Sequence, residues 1–273
     1  MVTLLKSKTL LISAIGLVLW SCMNEEADGN IEGLTVPPPA PLGYTLVQTL
    51  PHDTASFTQG LQFYKGVLYE STGNPNKLAN GSRIQVVNPA TGATLVKTLL
   101  PADEFGEGIT IMNEKVYQLT WENRKGYVYD VRNFQKLREF TYNHQGWGIT
   151  NDGSNLIVSD GSNHIYYWNP ETFQEIKRLS VQDHRGMRNN INELEFINGH
   201  LFANIWQSNQ IVRIDTATGY ITGVLDLSDL LRSYPELSKP PADVLNGIAW
   251  DSSTNRMLIT GKKWPRMFEL ELR

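Results

Sequence analysis

Phe57-Thr58-Gln59-Gly60-Leu61-Gln62-Phe63-Tyr64-Lys65-Gly66-Val67-Leu68-Tyr69-Glu70-Ser71-Thr72-Gly73 is the stretch on which the reading of the fold turns. It opens with a polar residue, a glycine and a short apolar run, turns at Lys65-Gly66, and returns as an alternating strand that ends in small polar residues. Two short strands joined by so tight a turn make half of a four-stranded blade. The opening comes back at Phe105-Gly106-Glu107-Gly108-Ile109-Thr110, at Gly146-Trp147-Gly148-Ile149-Thr150, in altered form at Ile191-Asn192-Glu193-Leu194-Glu195-Phe196, and at Leu245-Asn246-Gly247-Ile248-Ala249-Trp250. An all-β unit returning every roughly 40–50 residues is the signature of a β-propeller.

Each of the first four repeats reads as four strands: 60–63, 67–71, 83–88 and 94–100; then 108–111, 115–120, 127–130 and 136–142; then 148–150, 155–160, 164–169 and 175–181; then 194–197, 200–205, 211–215 and 221–226. Asn88-Pro89-Ala90-Thr91-Gly92, Asn169-Pro170-Glu171-Thr172 and Asp215-Thr216-Ala217-Thr218-Gly219 mark turns between the last two strands of their blades. The fifth repeat has only 247–250, 256–260 and 267–271. Its missing strand is available at the other end of the chain, where Tyr44-Thr45-Leu46-Val47-Gln48-Thr49-Leu50 has the pattern of an outer strand. Pairing the two termini closes the ring and removes an open sheet edge. The expectation is an all-β, five-bladed propeller over residues 44–273, with a short helix and loop between 226 and 243.

Composition suits that reading, because 41% hydrophobic and 19% charged residues describe a globular domain, and 22 Gly suit many turns. A net charge of −4 without a Lys/Arg cluster argues against a nucleic-acid partner. The first residues differ in kind. Lys6 and Lys8 precede an apolar run from Thr9 to Trp20, too short to span a bilayer, which stops at Ser21-Cys22. Cys22 is the sole cysteine, so the following domain has no disulfide, and its position resembles the lipobox of a bacterial lipoprotein. The expectation is a leader over 1–22, acylation at Cys22, and an acidic then Pro-rich tether over 23–43. The protein is then exported and held on a bacterial envelope membrane, on its periplasmic or surface face.

The repeat openings surround the axis of a propeller, so they are where side chains from several blades converge. They carry Phe57, Gln59, Phe105, Glu107, Trp147, Asn192, Glu193, Glu195 and Asn246, and the strand ends that follow add Glu70, Trp121, Asp160, Trp206 and Lys262. Aromatic walls with a few convergent polar groups suit a small-ligand pocket. The five histidines have no metal-ligand spacing, and no nucleophile elbow, phosphate loop or dinucleotide fingerprint occurs. Neither a metal nor a cofactor is expected. Acid–base chemistry by a carboxylate in an aromatic pocket remains.

Phe57-Thr58-Gln59-Gly60-Leu61, Tyr69-Glu70-Ser71-Thr72-Gly73, Phe105-Gly106-Glu107-Gly108-Ile109-Thr110, Leu119-Thr120-Trp121, Gly146-Trp147-Gly148, Asn192-Glu193-Leu194-Glu195, Ala203-Asn204-Ile205-Trp206 and Thr260-Gly261-Lys262-Lys263-Trp264-Pro265 together resemble the plant-type glutamine cyclotransferases. The resemblance runs in order over nearly all of 44–273 and implies a five-bladed propeller. It also implies metal-independent conversion of an amino-terminal glutamine, in a peptide or protein, to pyroglutamate with loss of ammonia. By the same resemblance Glu70 is the proton shuttle, and Asn192 and Lys262 complete the catalytic set. Phe57, Gln59, Trp147 and Trp206 hold the substrate, while Glu107 and Trp121 support the channel. The loop 74–82 departs from the glycine- and serine-rich connection typical of the family. A monomer is expected. The competing readings are a non-catalytic cell-surface propeller that binds a peptide or glycan, and a sugar- or lactone-processing hydrolase, which would need metal-binding carboxylates at the channel.

Overall fold

The computed structural model describes residues 36–75 and 81–273. The leader, Cys22, most of the expected tether and residues 76–80 of the 74–82 connection lie outside the described residues.

Turn chemistry and two-residue alternation build the blades. Lys65 and Gly66 both have positive φ, 50° and 77°, the geometry of the tight hairpin turn that joins the first two strands. Asn88, Asn169 and Asp215 each accept, through a side-chain oxygen, the backbone N–H two residues on, which fixes the turn before the outermost strand. Blade one comprises Phe57–Tyr64, Val67–Gly73, Arg83–Val87 and Thr94–Leu99, paired antiparallel in that order. Blade two is Gly106–Met112, Lys115–Thr120, Lys125–Asp130 and Lys136–Thr141. Blade three is Ile149–Asn151, Leu156–Ser159, His164–Trp168 and Glu175–Ser180, and blade four is Ile191–Ile197, His200–Ile205, Gln210–Asp215 and Ile221–Asp226. Blade five takes Leu245–Asp251, Arg256–Gly261 and Arg266–Leu272 from the end of the chain. Its outer strand is Tyr44–Pro51, in register from Tyr44 opposite Leu272 to Pro51 opposite Arg266. The fold is the expected five-bladed propeller closed by its two ends. Apolar clusters such as Ile157, Val181, Leu201 and Ile214 fill the spaces between successive sheets.

Two elements were not anticipated. Ala40–Pro41 runs parallel to Ile221–Asp226 as a fifth strand of blade four, with the Leu42 N–H donating to the Val224 carbonyl at 2.8 Å. Gly223 makes the notch for it, since a Cβ there would come within 2.8 Å of the Leu42 side chain. The folded region therefore starts ahead of Tyr44, inside the segment expected as tether. A small hairpin, Gln182–Asp183 with Gly186–Met187, separates blades three and four. The expected helix is present as Ser228–Arg232 followed by a 3-10 turn at Pro235–Ser238, and Leu230, Leu231 and Leu237 anchor both to the core of blades four and five.

At the axis the inner strands lie backbone against backbone. A Cβ on Gly60 would come 2.5 Å from the Ile109 nitrogen, one on Gly108 would come 2.8 Å from the Ile149 nitrogen, and one on Gly148 would come 2.2 Å from the Asn192 carbonyl oxygen. Blade four carries Glu193 at the equivalent position. Its buried carboxylate accepts the N–H of Leu61 at 3.2 Å and of Ile248 at 2.9 Å, donors that have no strand partner on that side.

The closing seam between blades five and one is polar and fully enclosed. His52, just past the closing strand, directs Nδ1 at the Trp264 carbonyl (2.7 Å) and Nε2 at Glu70 Oε1 (3.0 Å). Glu70 also accepts from Thr58 at 2.6 Å, Gln85 at 2.7 Å and Ser56 at 3.3 Å. Burial alone would raise the Glu70 carboxyl, but the His52 imidazolium and these donors hold it below its ordinary value. Burial likewise opposes the charge on His52, and Glu70 overcomes it, so His52 lies above its ordinary value. The carboxylate contribution is present above about pH 4.5 and lost as pH falls, while the imidazolium contribution is full below about pH 6.5 and lost as pH rises. The pair therefore stabilises most between those limits. Glu70→Gln strands a buried imidazolium, so denaturant titrations at intermediate pH are expected to give a loss of roughly 3–5 kcal/mol, smaller toward pH 8. A loss that does not vary with pH would rule out the ion pair.

Candidate active site

Period-two alternation along the inner strands decides which residues reach the mouth of the axis. The residue before each axis position is Gln59, Glu107, Trp147, Asn192 or Asn246, and the first four of these line one cavity of about 810 Å³. The second strands contribute through the position two residues past their last axis-side contact, occupied by Trp121, Trp206 and Lys262, all of which also line it. At the matching points of blades one and three stand Gly73 and Gly161. A Cβ on Gly73 would meet the ring of Phe105 at 2.2 Å, and one on Gly161 would meet the ring of Trp147 at 2.5 Å, so these glycines make room for aromatic walls.

The walls interlock. Phe57 packs edge-on against Phe105 (centroids 6.1 Å), Phe105 against Trp121 (5.8 Å), and Trp147 against Trp206 (5.6 Å). One carbonyl oxygen, Gln145 Oε1, accepts both the Trp121 indole N–H (2.9 Å) and the Trp147 indole N–H (3.0 Å), which fixes two walls from a single point. Lys262 places its ammonium over the Phe57 ring at 4.8 Å.

Glu107 is buried on the floor. Gln59 Nε2 donates to its Oε1 at 3.0 Å, and Asn246 Nδ2 in turn donates to Gln59 Oε1 at 3.3 Å and to the Thr58 carbonyl at 3.0 Å. Burial pushes the Glu107 carboxyl well above the ordinary range, with the Lys262 ammonium pulling the other way. Burial lowers Lys262, against the opposing pull of Glu107 and Asp243. Asn192 has its backbone carbonyl occupied by the Ser159 hydroxyl at 2.7 Å, but its side-chain Oδ1 is buried with no hydrogen-bond partner. An unpaired buried amide oxygen costs about 1–3 kcal/mol, which a ligand N–H entering the cavity would recover.

The expected residues divide accordingly. Phe57, Gln59, Trp147, Asn192, Trp206 and Lys262 come together around the cavity. Glu70 does not: it lies on the opposite face of its sheet in the closing seam, where it takes part in four hydrogen bonds, and it is not among the residues that line the cavity. That position corrects the expectation that Glu70 is the shuttle. Glu107, expected only to support the channel, is the buried carboxyl on the floor, and Phe105 and Trp121 stand beside it as wall. The signal that finds Glu107 is register: it occupies the same place in its repeat as Gln59, Trp147 and Asn192. Asn74 and Pro75, at the start of the departing loop, also line the cavity. Among the described residues, no three His, Cys, Asp or Glu side chains are grouped to hold a metal ion.

This arrangement brings together, within aromatic walls, a buried carboxyl of raised proton affinity, an ammonium and a buried amide oxygen without a partner. Known proteins share the chain's sequence and fold over most of its length. A curated glutaminyl-peptide cyclotransferase of Arabidopsis thaliana is 37% identical over 231 residues, 84% of this chain and 71% of that protein. The crystal structure of Myxococcus xanthus glutaminyl cyclase superposes with a TM-score of 0.79 at 33% identity, covering 86% of this chain and 98% of that one. A family model described as glutamine cyclotransferase matches residues 14–272, and with these relatives it shows that the chain belongs to the glutamine cyclotransferase family.

Proposed function

We propose that the protein converts the amino-terminal glutamine of peptides and proteins to pyroglutamate, with Glu107 as the proton shuttle and without a metal. The observation that carries the reading is the carboxyl of Glu107: of the carboxylates lining the cavity it is the buried one, and its affinity for a proton is raised. The α-amine attacks the side-chain Cδ of the same residue, so one C–N bond forms and closes a five-membered ring. The Cδ–N bond of the amide then breaks, and nitrogen must leave as ammonia. Both proton movements can pass through one group. Ionised Glu107 takes a proton from the attacking amine and delivers it to the departing nitrogen, so the atoms balance without a second acid. A carboxyl nearer in pKa to the amine, whose ordinary value is about 7.7–8.0, makes both transfers less uphill than an exposed one would.

The other residues serve positioning and charge. Gln59 orients the shuttle through its hydrogen bond, and Asn246 orients Gln59. Asn192 presents an unpartnered Oδ1 for an N–H of the substrate. Phe57, Trp147 and Trp206 enclose the glutamine side chain and limit water, which favours the bent, reacting conformer. Lys262 pulls the Glu107 carboxyl down against its burial, which favours the ionised form that the shuttle needs. Export and acylation at Cys22, with a tether to the envelope membrane, belong to the same proposal and rest on the amino-terminal sequence pattern.

Three outcomes test the reading. Mass spectrometry of a Gln-initiated peptide incubated with the protein is expected to show the loss of one ammonia, unaffected by a chelator, and Glu107→Gln is expected to slow it by roughly 10²–10⁴-fold. Full activity in Glu107→Gln would end the shuttle assignment. The acid limb of kcat/KM is expected to move to higher pH in Lys262→Met, because removing the ammonium removes the influence that holds Glu107 down, whereas the substrate amine contributes equally in both enzymes. A shift to lower pH contradicts that role. In a bacterial host, Cys22→Ser is expected to abolish incorporation of labelled fatty acid, and undiminished labelling would exclude Cys22 as the site.

A further inference from the structure

We infer that the cavity selects peptides by the charge of the residues that follow the first glutamine, favouring basic and disfavouring acidic ones. The inference rests on the cyclase reading above and extends it to substrate class.

Floor and rim carry opposite signs. The floor holds Lys262, the one lysine among the described residues that line the cavity, beside Glu107. The rim holds three exposed carboxylates: Asp103 and Glu122 flank the Phe105–Trp121 wall on blade two, and Asp243 stands across from them at the entry to blade five. Asp103 and Glu122 make no side-chain hydrogen bond or ion pair among the described residues. Asp243 accepts only the N–H of its neighbour Val244, at 2.7 Å. Lys125, on which Asp103 also acts, is paired with Glu104 at 3.1 Å. Among the described residues no other lysine and no arginine lines the mouth, and Lys263 holds its ammonium 5.9 Å from the Phe57 ring.

These three acids are not grouped so as to hold a metal ion, and although Asp243 also acts on Lys262, the rim as a whole stays acidic toward a ligand. A second observation places that ligand. Asn192, whose buried Oδ1 has no partner, lines the same cavity, so an N–H of the first residue gains by approaching it. With the α-amine and side chain at Glu107 and Asn192, the rest of the peptide has to leave past the rim. Each further residue advances about 3.3–3.6 Å, so the second and third residues pass the acids. A Lys or Arg there meets unpaired carboxylates, and an Asp or Glu meets like charge. Trp121, 37% exposed on the same side, offers its ring to the stem of a long basic side chain.

The experiment compares kcat/KM for three peptides of equal length, Gln-Lys-, Gln-Ala- and Gln-Glu-initiated, in about 20 mM and about 500 mM salt, the latter shortening the screening length to a few Å. The expected order in low salt is Lys above Ala above Glu, with about fivefold or more between the extremes, collapsing in high salt. The triple variant D103N/E122Q/D243N is expected to bring the ratio of the extremes close to one in low salt. Equal rates for the three peptides with the parent protein, or a preference that survives in the triple variant, overturns the inference and leaves the cyclase reading standing. No ammonia loss from any of the three overturns the cyclase reading and this inference together.

Discussion

The axis of the ring is where backbones meet without side chains between them, and most of the rest follows from that contact. Gly60, Gly108 and Gly148 let neighbouring inner strands approach to distances that a single methyl group would forbid. Strands that splay from a common axis make only isolated backbone bonds to each other, such as Gly108 N–H to the Trp147 carbonyl at 2.8 Å, so other inward-facing N–H groups need another acceptor. Glu193 supplies it at the one position where the glycine is replaced, and Glu195, two residues on, does the same for the Trp250 N–H at 3.0 Å. Burial raises both carboxyls, Glu195 to about 8, so each is held in place at an electrostatic cost by the backbone donors it satisfies. Buried carboxyls are thus built into the centre of the molecule, and their raised proton affinity alone does not mark catalysis. Glu107 differs because its surroundings open into the cavity.

Because the glycines close the axis, the residues preceding four of the five axis positions, Gln59, Glu107, Trp147 and Asn192, turn into the cavity at one end of it, with Asn246 behind Gln59. Evolution of the site on such a frame is a matter of five equivalent places filled differently: an amide, a carboxyl, an indole and two further amides. The second ring, two residues past the axis contact of each second strand, is filled by two indoles and a lysine, with glycine wherever a neighbour's aromatic ring must enter. Aromatic walls and polar floor are therefore parts of one periodic design in which each blade contributes a different group.

The fold was legible because the repeat is: five openings, Asx turns before the outer strands, and a final blade short by one strand that the segment from Tyr44 to Leu50 completes. The site was legible in part. Phe57, Gln59, Trp147, Asn192, Trp206 and Lys262 follow from the openings and strand ends, but Glu70 was set beside Trp206 and Lys262 although it is three residues ahead of the matching place, Gly73. In a strand an odd displacement puts a side chain on the other face. Glu70 accordingly turns into the seam with His52, and its burial reflects closure of the ring. Glu107 was in view throughout and needed only alignment with Gln59 and Asn192. The strand at Ala40–Pro41 had no such signal, because two residues are too few for a pattern and its partner is a notch at Gly223 in a distant blade.

Closing the ring with Tyr44–Pro51 also sets an order of events in time. Gln48 bonds to Glu269, 221 positions later, so the outer strand of blade five waits through synthesis of the whole propeller before its partner exists. Blades one to four can form from contiguous sequence as they emerge, whereas the seam, with His52, Glu70 and the Trp264 carbonyl, can form only when residues near the end arrive. Until then Phe57 and Lys262, neighbours in the finished cavity, belong to separate parts of the chain. The side of the cavity that Lys262 and Phe57 form together is thus completed only when the ring closes.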